Sequence, residues 1–220
     1  MTINKRAIFP FLFILFILFL FIRIYKISDI SMNYSLMDGD IVIAENFSAG
    51  IHMPSFFSYH KGHLLSNEQG IKRGDLMAFK HPLDNRLYLK RCVALPGDSI
   101  FQEQKNLYLQ IDSNQTKTVD FAKRYRIEVE KRGEMYWLKN PYSRFYTVNH
   151  TDDVIGPPEL IDYPKTLIPE HHFFFMGDFR DNSTDSRFFG PVHYENIYYK
   201  IWFVISRTQN LQELGSIEQY

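Results

Sequence analysis

The chain has 220 residues, 45% hydrophobic, 16% aromatic and 23% charged, which excludes a disordered tail, a collagen-like chain and a coiled coil and fits one compact domain plus an appendage. Twenty-five basic side chains against 25 acidic ones leave no net charge, so no long-range field draws the protein to nucleic acid. Cys92 is the sole cysteine, which rules out an intrachain disulfide framework and any CxxC site.

The first element is apolar. FPFLFILFILFLFI, from Phe9 to Ile22, has no polar side chain, and the apolar run from Ala7 to Ile22 is 16 residues long. As a helix it covers roughly 24 Å of a hydrocarbon core about 30 Å thick. Ile24, Tyr25 and Ile27 lengthen it to a spanning segment if Arg23 and Lys26 snorkel to the headgroups. The expectation is a cytoplasmic tail over 1–6 and a transmembrane anchor over 7–27. A cleavable secretory signal is the alternative, but RIYKISDISM puts bulky and charged groups where small exit residues belong, so the anchor is expected to stay. Lys5 and Arg6 on one side and Arg23 and Lys26 on the other lean towards an N-terminus inside.

Beyond the anchor, short apolar runs punctuated by Gly, Pro, Asn and Asp read as mainly β. Strands are predicted in IVIAEN from Ile41, DLMAFKH from Asp75, RLYLKRCVAL from Arg86, MYWLK from Met135, HFFFMG from His172 and IYYKIWFVIS from Ile197. Several lack clean alternation, which implies burial on both faces or a curled, barrel-like antiparallel core, with turns at Gly39, Gly74, Gly97, Gly177 and Gly190. Residues from about 102 to 170 are richer in charge and loop dipeptides and read as an insertion, leaving 28–101 and 171–207 to close into the core sheet. IHMPSFFSY, from Ile51, either dips into the membrane interface or packs as ordinary core.

Chemistry-bearing residues are sparse. His52, His60 and His63 share one polar stretch, but no Cys flanks them and no HExxH helix exists, so no metal is expected. There is no GxSxG elbow to carry a Ser-His-Asp triad. Asp178, Asp181 and Asp185 lack the spacing of a calcium loop and, beside Arg180 and Arg187, read as a salt-bridged turn. Lys90 stands out as an ammonium group inside an apolar strand, where alternation gives it Tyr88, Cys92 and Ala94 as company on one face. On that strand alone, a rim lysine with its stem packed and its head in water is the favoured explanation.

Three blocks taken together, SMNYSLMDGD from Ser31, YLKRCVALPGD from Tyr88 and GDFRDNSTDSRFFGPV from Gly177, resemble in content and order the type I signal peptidases, which are membrane-anchored serine proteases. The resemblance implies a mainly β, antiparallel, barrel-like core with an inserted β-rich subdomain and one N-terminal transmembrane helix. It makes Ser31 the nucleophile and Lys90 the general base, with Ser183 orienting the amine and Asp185 and Arg187 bracing the loop. Met32, Leu36 and Leu89 match positions near the substrate pocket, and Gly39, Asp40, Pro96, Gly97 and Asp98 match positioning turns. No cofactor, metal or nucleic acid is implied. The partners implied are exported preproteins with signal peptides, and the lipid bilayer itself. The location implied is the bacterial cytoplasmic (inner) membrane, single-pass, with the protease domain 28–220 extracytoplasmic.

The physics of that dyad makes its own demand. A serine hydroxyl attacks a peptide only when a base takes its proton, and with an ordinary pKa near 10.4 only about one lysine in a thousand is neutral around pH 7.4. Burial must lower that value by about two units or more.

The match also departs in places. Tyr34 stands where the family usually has Pro, and Phe179 where it usually has Asn. Asp29, two residues before Ser31, replaces a small or hydroxyl residue that helps the oxyanion hole, and an ionised carboxylate there would repel the developing charge. The rival reading is therefore a catalytically impaired or single-substrate paralogue, acting as a membrane-tethered binding or scaffold protein.

Overall fold

The computed structural model describes residues 9–10, 12–13, 16, 21–33, 35–52, 63–143, 145, 148, 151, 156–205 and 211–213. Most of the expected anchor, His60, Tyr34 and most of the IHMPSFFSY stretch lie outside them. Among the described residues no helix is long and apolar enough to cross a membrane.

The main sheet gathers strands from both ends of the chain. Its order runs β1 (Ile22–Lys26), β2 (Ile41–Glu45), β14 (Ile197–Ile205), β5 (Leu76–Lys80), β6 (Leu87–Ala94), β12 (His172–Met176) and β13 (Val192–His193), and β15 (Leu211–Glu213) pairs with β14. Every pairing is antiparallel, and register shifts at Ile197/Tyr199, Ile201/Phe203 and Phe174/Phe175 mark irregularities of the kind that bend a sheet. The path is open, since β1 and β13 are its two ends. Five of the six predicted strands lie here.

One finding corrects the reading of the anchor's end. Ile22–Lys26 is an extended edge strand paired with β2, Ile24 opposite Ile43, and not the last turns of a helix. The alternation IRIYK is as legible at period two as at helical spacing, and the unpaired edge of β2 decides between them.

The stretch around 102–170 builds a second layer. Strands β7 (Ser99–Glu103), β8 (Asn106–Gln110), β9 (Val129–Arg132), β10 (Met135–Lys139) and β11 (Tyr163–Leu167) form a sheet in the order β11-β7-β8-β10-β9. Helix α1 (Gln115–Tyr125) starts where the Asn114 side chain accepts from the Lys117 N–H and ends at Arg126 in the left-handed region. Val93, Ala94, Phe174 and Met176 of the main sheet pack with Ile100, Leu107, Leu109 and Leu138 of the second, so the inserted layer shares a core with the main sheet. Asp98 ties the first core segment to the start of the inserted layer. Its buried carboxylate accepts from Arg73 Nε at 2.8 Å, Arg73 Nη2 at 2.6 Å and the N–H groups of Leu95 and Asp112, each at 2.9 Å. A third, small sheet pairs β3 (Gly50–His52) with β4 (His63–Ser66), where the His52 and His63 ring centres lie 3.7 Å apart, tilted by 47°, and both rings bond the Ile197 carbonyl.

Candidate active site

Ser31 sits in the loop between β1 and β2, and that loop is fastened at both ends. Ile27 N–H donates to the Asp40 carbonyl at 2.8 Å and Gly39 N–H to the Ile27 carbonyl at 2.9 Å. Gly39 holds φ at +90°, which a side chain would resist, and the Asp40 carboxylate accepts the Met37 N–H at 2.8 Å. Leu36 and Met32 plug the loop into a core of Ile27, Val42, Ala44, Leu76 and Ile201. Ser31 is thereby held on the sheet with 4% of its surface exposed.

Lys90 lies in β6 between Tyr88 and Cys92, with β5 on one side and β12 on the other. Only 2% of it is exposed, so the rim-lysine reading is set aside. Its Nζ is 2.5 Å from Ser31 Oγ and 5.4 Å from the centre of the Tyr88 ring. Burial, the largest influence, holds the amine below its ordinary value against the opposing pull of Asp29, Asp185 and Asp178.

The segment after β12 supplies the frame. The three carboxylates of GDFRDNSTDSR each take a different cation. Asp178 is bound by Arg91 through Nε at 2.7 Å and Nη2 at 2.5 Å, and accepts a short bond from Ser35. Asp181 faces Lys105 of the inserted layer at 2.8 Å. Asp185, fully buried, accepts from Arg187 Nε at 2.9 Å, Arg187 Nη2 at 2.8 Å and the Gly177 N–H at 2.9 Å, and caps the short helix α2 (Ser186–Phe189). Burial pushes the Asp185 carboxyl up, but the Arg187 charge and these bonds outweigh it and hold it below the usual range. Arg180 differs from the expected carboxylate partner. It is buried against the Met176 sulfur, 3.7 Å away, and burial pushes its guanidinium down to about 10.

Ser183 is buried beside Gly177, but its hydroxyl has no hydrogen-bond partner among the described residues, so the expected bond to the Lys90 amine is not made here. Met32 and Leu89 line a cleft of about 540 Å³ that opens at Ser31 and is also walled by Ser28, Asp29, Tyr88 and Ile201. Leu36 does not reach that cleft and belongs to the core beneath it.

Sequence reasoning treated Asp29 as an obstacle and did not foresee its contacts. Its Oδ2 accepts from the Ser31 hydroxyl at 2.7 Å and lies 3.7 Å from Lys90 Nζ, while Oδ1 accepts from the Ile30 and Ser31 N–H groups at 2.7 and 3.3 Å. Burial pushes its carboxyl up, but the Ser31 bond and the Lys90 charge win and hold it below the ordinary carboxylate value. The Arg91–Asp178–Ser35 cluster was also missed, although Arg91 and Asp178 both stand inside the recognised blocks.

Comparison with known proteins identifies the family. The family described as signal peptidase, peptidase S26, matches residues 2–205. Signal peptidase I of Buchnera aphidicola subsp. Schizaphis graminum is 30% identical, in an alignment covering 94% of this chain and 76% of that protein. Signal peptidase I of Pseudomonas fluorescens is 30% identical over 97% of this chain and 78% of the relative. The Helicobacter pylori (strain ATCC 700392 / 26695) signal peptidase I is 29% identical over 87% and 77%.

Proposed function

The chain belongs to the signal peptidase family, peptidase S26, and from that premise we propose that it is a serine endopeptidase that removes N-terminal signal peptides from exported preproteins, with Ser31 as nucleophile and Lys90 as general base. The observation that carries the catalytic assignment is the 2.5 Å contact between a loop serine and a strand lysine that is 2% exposed. Desolvation penalises the ammonium form, which is the condition a lysine needs to act as a base near neutral pH.

The reaction then runs through an acyl-enzyme. Neutral Lys90 takes the Ser31 proton as Oγ bonds to the scissile carbonyl carbon, and the proton passes to the departing amine as the C–N bond breaks. A water molecule, deprotonated by the same amine, cleaves the ester and frees the carboxylate product. The Ser31 N–H is the backbone donor best placed for the oxyanion. Ser183, a buried hydroxyl with no competing partner among the described residues, is the group proposed to receive the amine once Ser31 is acylated. Asp185 with Arg187, and Asp178 with Arg91, keep that loop and β6 in register.

Met32 and Leu89 supply apolar wall for the residues before the cut. The apolar N-terminal segment supports a single-pass anchor in a bacterial cytoplasmic membrane with the protease domain outside. Sharing one bilayer with the signal helix raises the effective concentration of substrate. The tethered-scaffold reading is not favoured, because the relatives are named as peptidases.

The test is processing of a preprotein by the detergent-solubilised enzyme. Ser31→Ala and Lys90→Ala must each abolish cleavage while wild type turns over. Normal turnover by Lys90→Ala, with loss in a histidine variant such as His193→Ala, would falsify the dyad.

A further inference from the structure

The dyad scheme has no use for Asp29, yet its carboxylate takes up the two Ser31 groups that the reaction needs. With the hydroxyl proton given to Asp29 at 2.7 Å, the Lys90 contact has the amine donating to Ser31 Oγ, the reverse of the direction in which a base takes the Ser31 proton. The Ser31 N–H, wanted for the oxyanion, points at Asp29 Oδ1 at 3.3 Å. We propose that Asp29 is an electrostatic latch on the active centre: ionised, it holds Ser31 and Lys90 in a resting arrangement and raises the pH at which the enzyme becomes competent. The inference rests on the Ser31–Lys90 reading above.

The surroundings of Lys90 single out this carboxylate. From β6 it meets Tyr88, and from the segment after β12 it feels Asp178 and Asp185. Asp178 is matched by Arg91 and Asp185 by Arg187, each through two guanidinium nitrogens. Lys26 and Arg86 line the cleft, but among the described residues the cation found against Asp29 is Lys90 itself, at 3.7 Å. Of the influences that oppose burial and keep the amine charged, Asp29 ranks first. The latch can also open, because 65% of the Asp29 side chain is exposed, and among the described residues the Ser31 and Ile30 bonds and the Lys90 ion pair are what hold it inward. A peptide carbonyl entering the cleft competes for the same Ser31 N–H and turns the carboxylate out to water.

The test is the pH profile of kcat/KM for preprotein cleavage by wild type, Asp29→Asn and Asp29→Ala, with Lys90→Ala as control. The acid limb of that profile reports the free enzyme's base. Removing an opposite charge this close moves the limb down by about one pH unit, and kcat/KM below the limb rises about tenfold. The asparagine keeps the shape and a hydrogen-bond acceptor, so a shift in both variants tracks the charge and not the packing. An unmoved limb in both, with Lys90→Ala inactive, overturns the latch and leaves the dyad standing. Loss of turnover at every pH in Asp29→Asn also overturns it, since the carboxylate would then be required. A Lys90→Ala enzyme that retains the wild-type limb sinks the dyad and the latch together.

Discussion

Gly177→Ala is the sharpest mechanical probe of the site. Gly177 directly follows β12, where the chain passes between the Ser31 loop and the Ser183 turn, and its N–H is bonded to Asp185. A methyl group there would stand 2.2 Å from Ser183 Oγ, 2.5 Å from Ser183 Cβ and 2.6 Å from the Ser31 carbonyl oxygen. Ordinary contact begins near 3.4 Å, so the methyl is about 0.8 Å too close to a backbone atom that cannot swing aside. The Ser31 carbonyl is itself bonded to the Phe179 N–H at 3.1 Å, so the strand and the nucleophile loop must part together. Overpacking of this kind costs about 1–3 kcal/mol of stability, and a displacement of about 1 Å at reacting groups costs about 100-fold in rate. The assay is kcat/KM for preprotein cleavage beside a thermal melt, with Gly133→Ala as control. A methyl at Gly133, in the β9–β10 turn, meets nothing within 4 Å, and at φ +60° the change costs about 1–2 kcal/mol of backbone strain without touching the site. Activity of Gly177→Ala within about threefold of wild type, or an equal loss in Gly133→Ala, would refute the reasoning.

Three further outcomes are expected. Asp185→Asn leaves the buried Arg187 guanidinium without its counter-charge and should lower unfolding free energy by about 3–5 kcal/mol, read as the urea midpoint; a change below about 1 kcal/mol contradicts the bracing role. Lys105→Met strips the cation that the inserted layer sets against Asp181, and the unpaired carboxylate should cost about 1–3 kcal/mol, with unchanged stability marking the contact as idle. Burial, with a smaller push from His52, holds the His63 ring down to about 4 against an ordinary 6.5. Between those values the unfolded chain binds the proton and the folded one does not, so stability falls as pH drops from 6.5 to 4. After allowance for solvent screening the loss is about 1–2 kcal/mol, and His63→Gln should flatten that slope in urea titrations.

Much of the protease sheet was legible in the sequence because β2, β5, β6, β12 and β14 are apolar runs too dense for a surface element. The inserted layer was harder to read. VEKR of β9 carries three charges in four residues, and it forms a strand because β10 pairs back onto it through a tight hairpin and Arg132 meets Glu103 of β7, 29 residues away in sequence. Ser31, Lys90, Asp185 and Arg187 were found through the three ordered blocks, and the periodicity of β6 alone favoured a rim position for Lys90. Asp29 shows the limit of such reading: its identity was visible, but its bond to the Ser31 hydroxyl depends on a loop conformation fixed by Asp40, Gly39 and the plug of Leu36.

The most direct measurement is the titration of the Lys90 amine in the folded protein, followed as the 13Cε shift of labelled lysine and assigned by comparison with Lys90→Arg. Burial at 2% exposure predicts a midpoint below that of the surface lysines. A Lys90 midpoint that coincides with the surface set near 10.4 would contradict a neutral amine as the base.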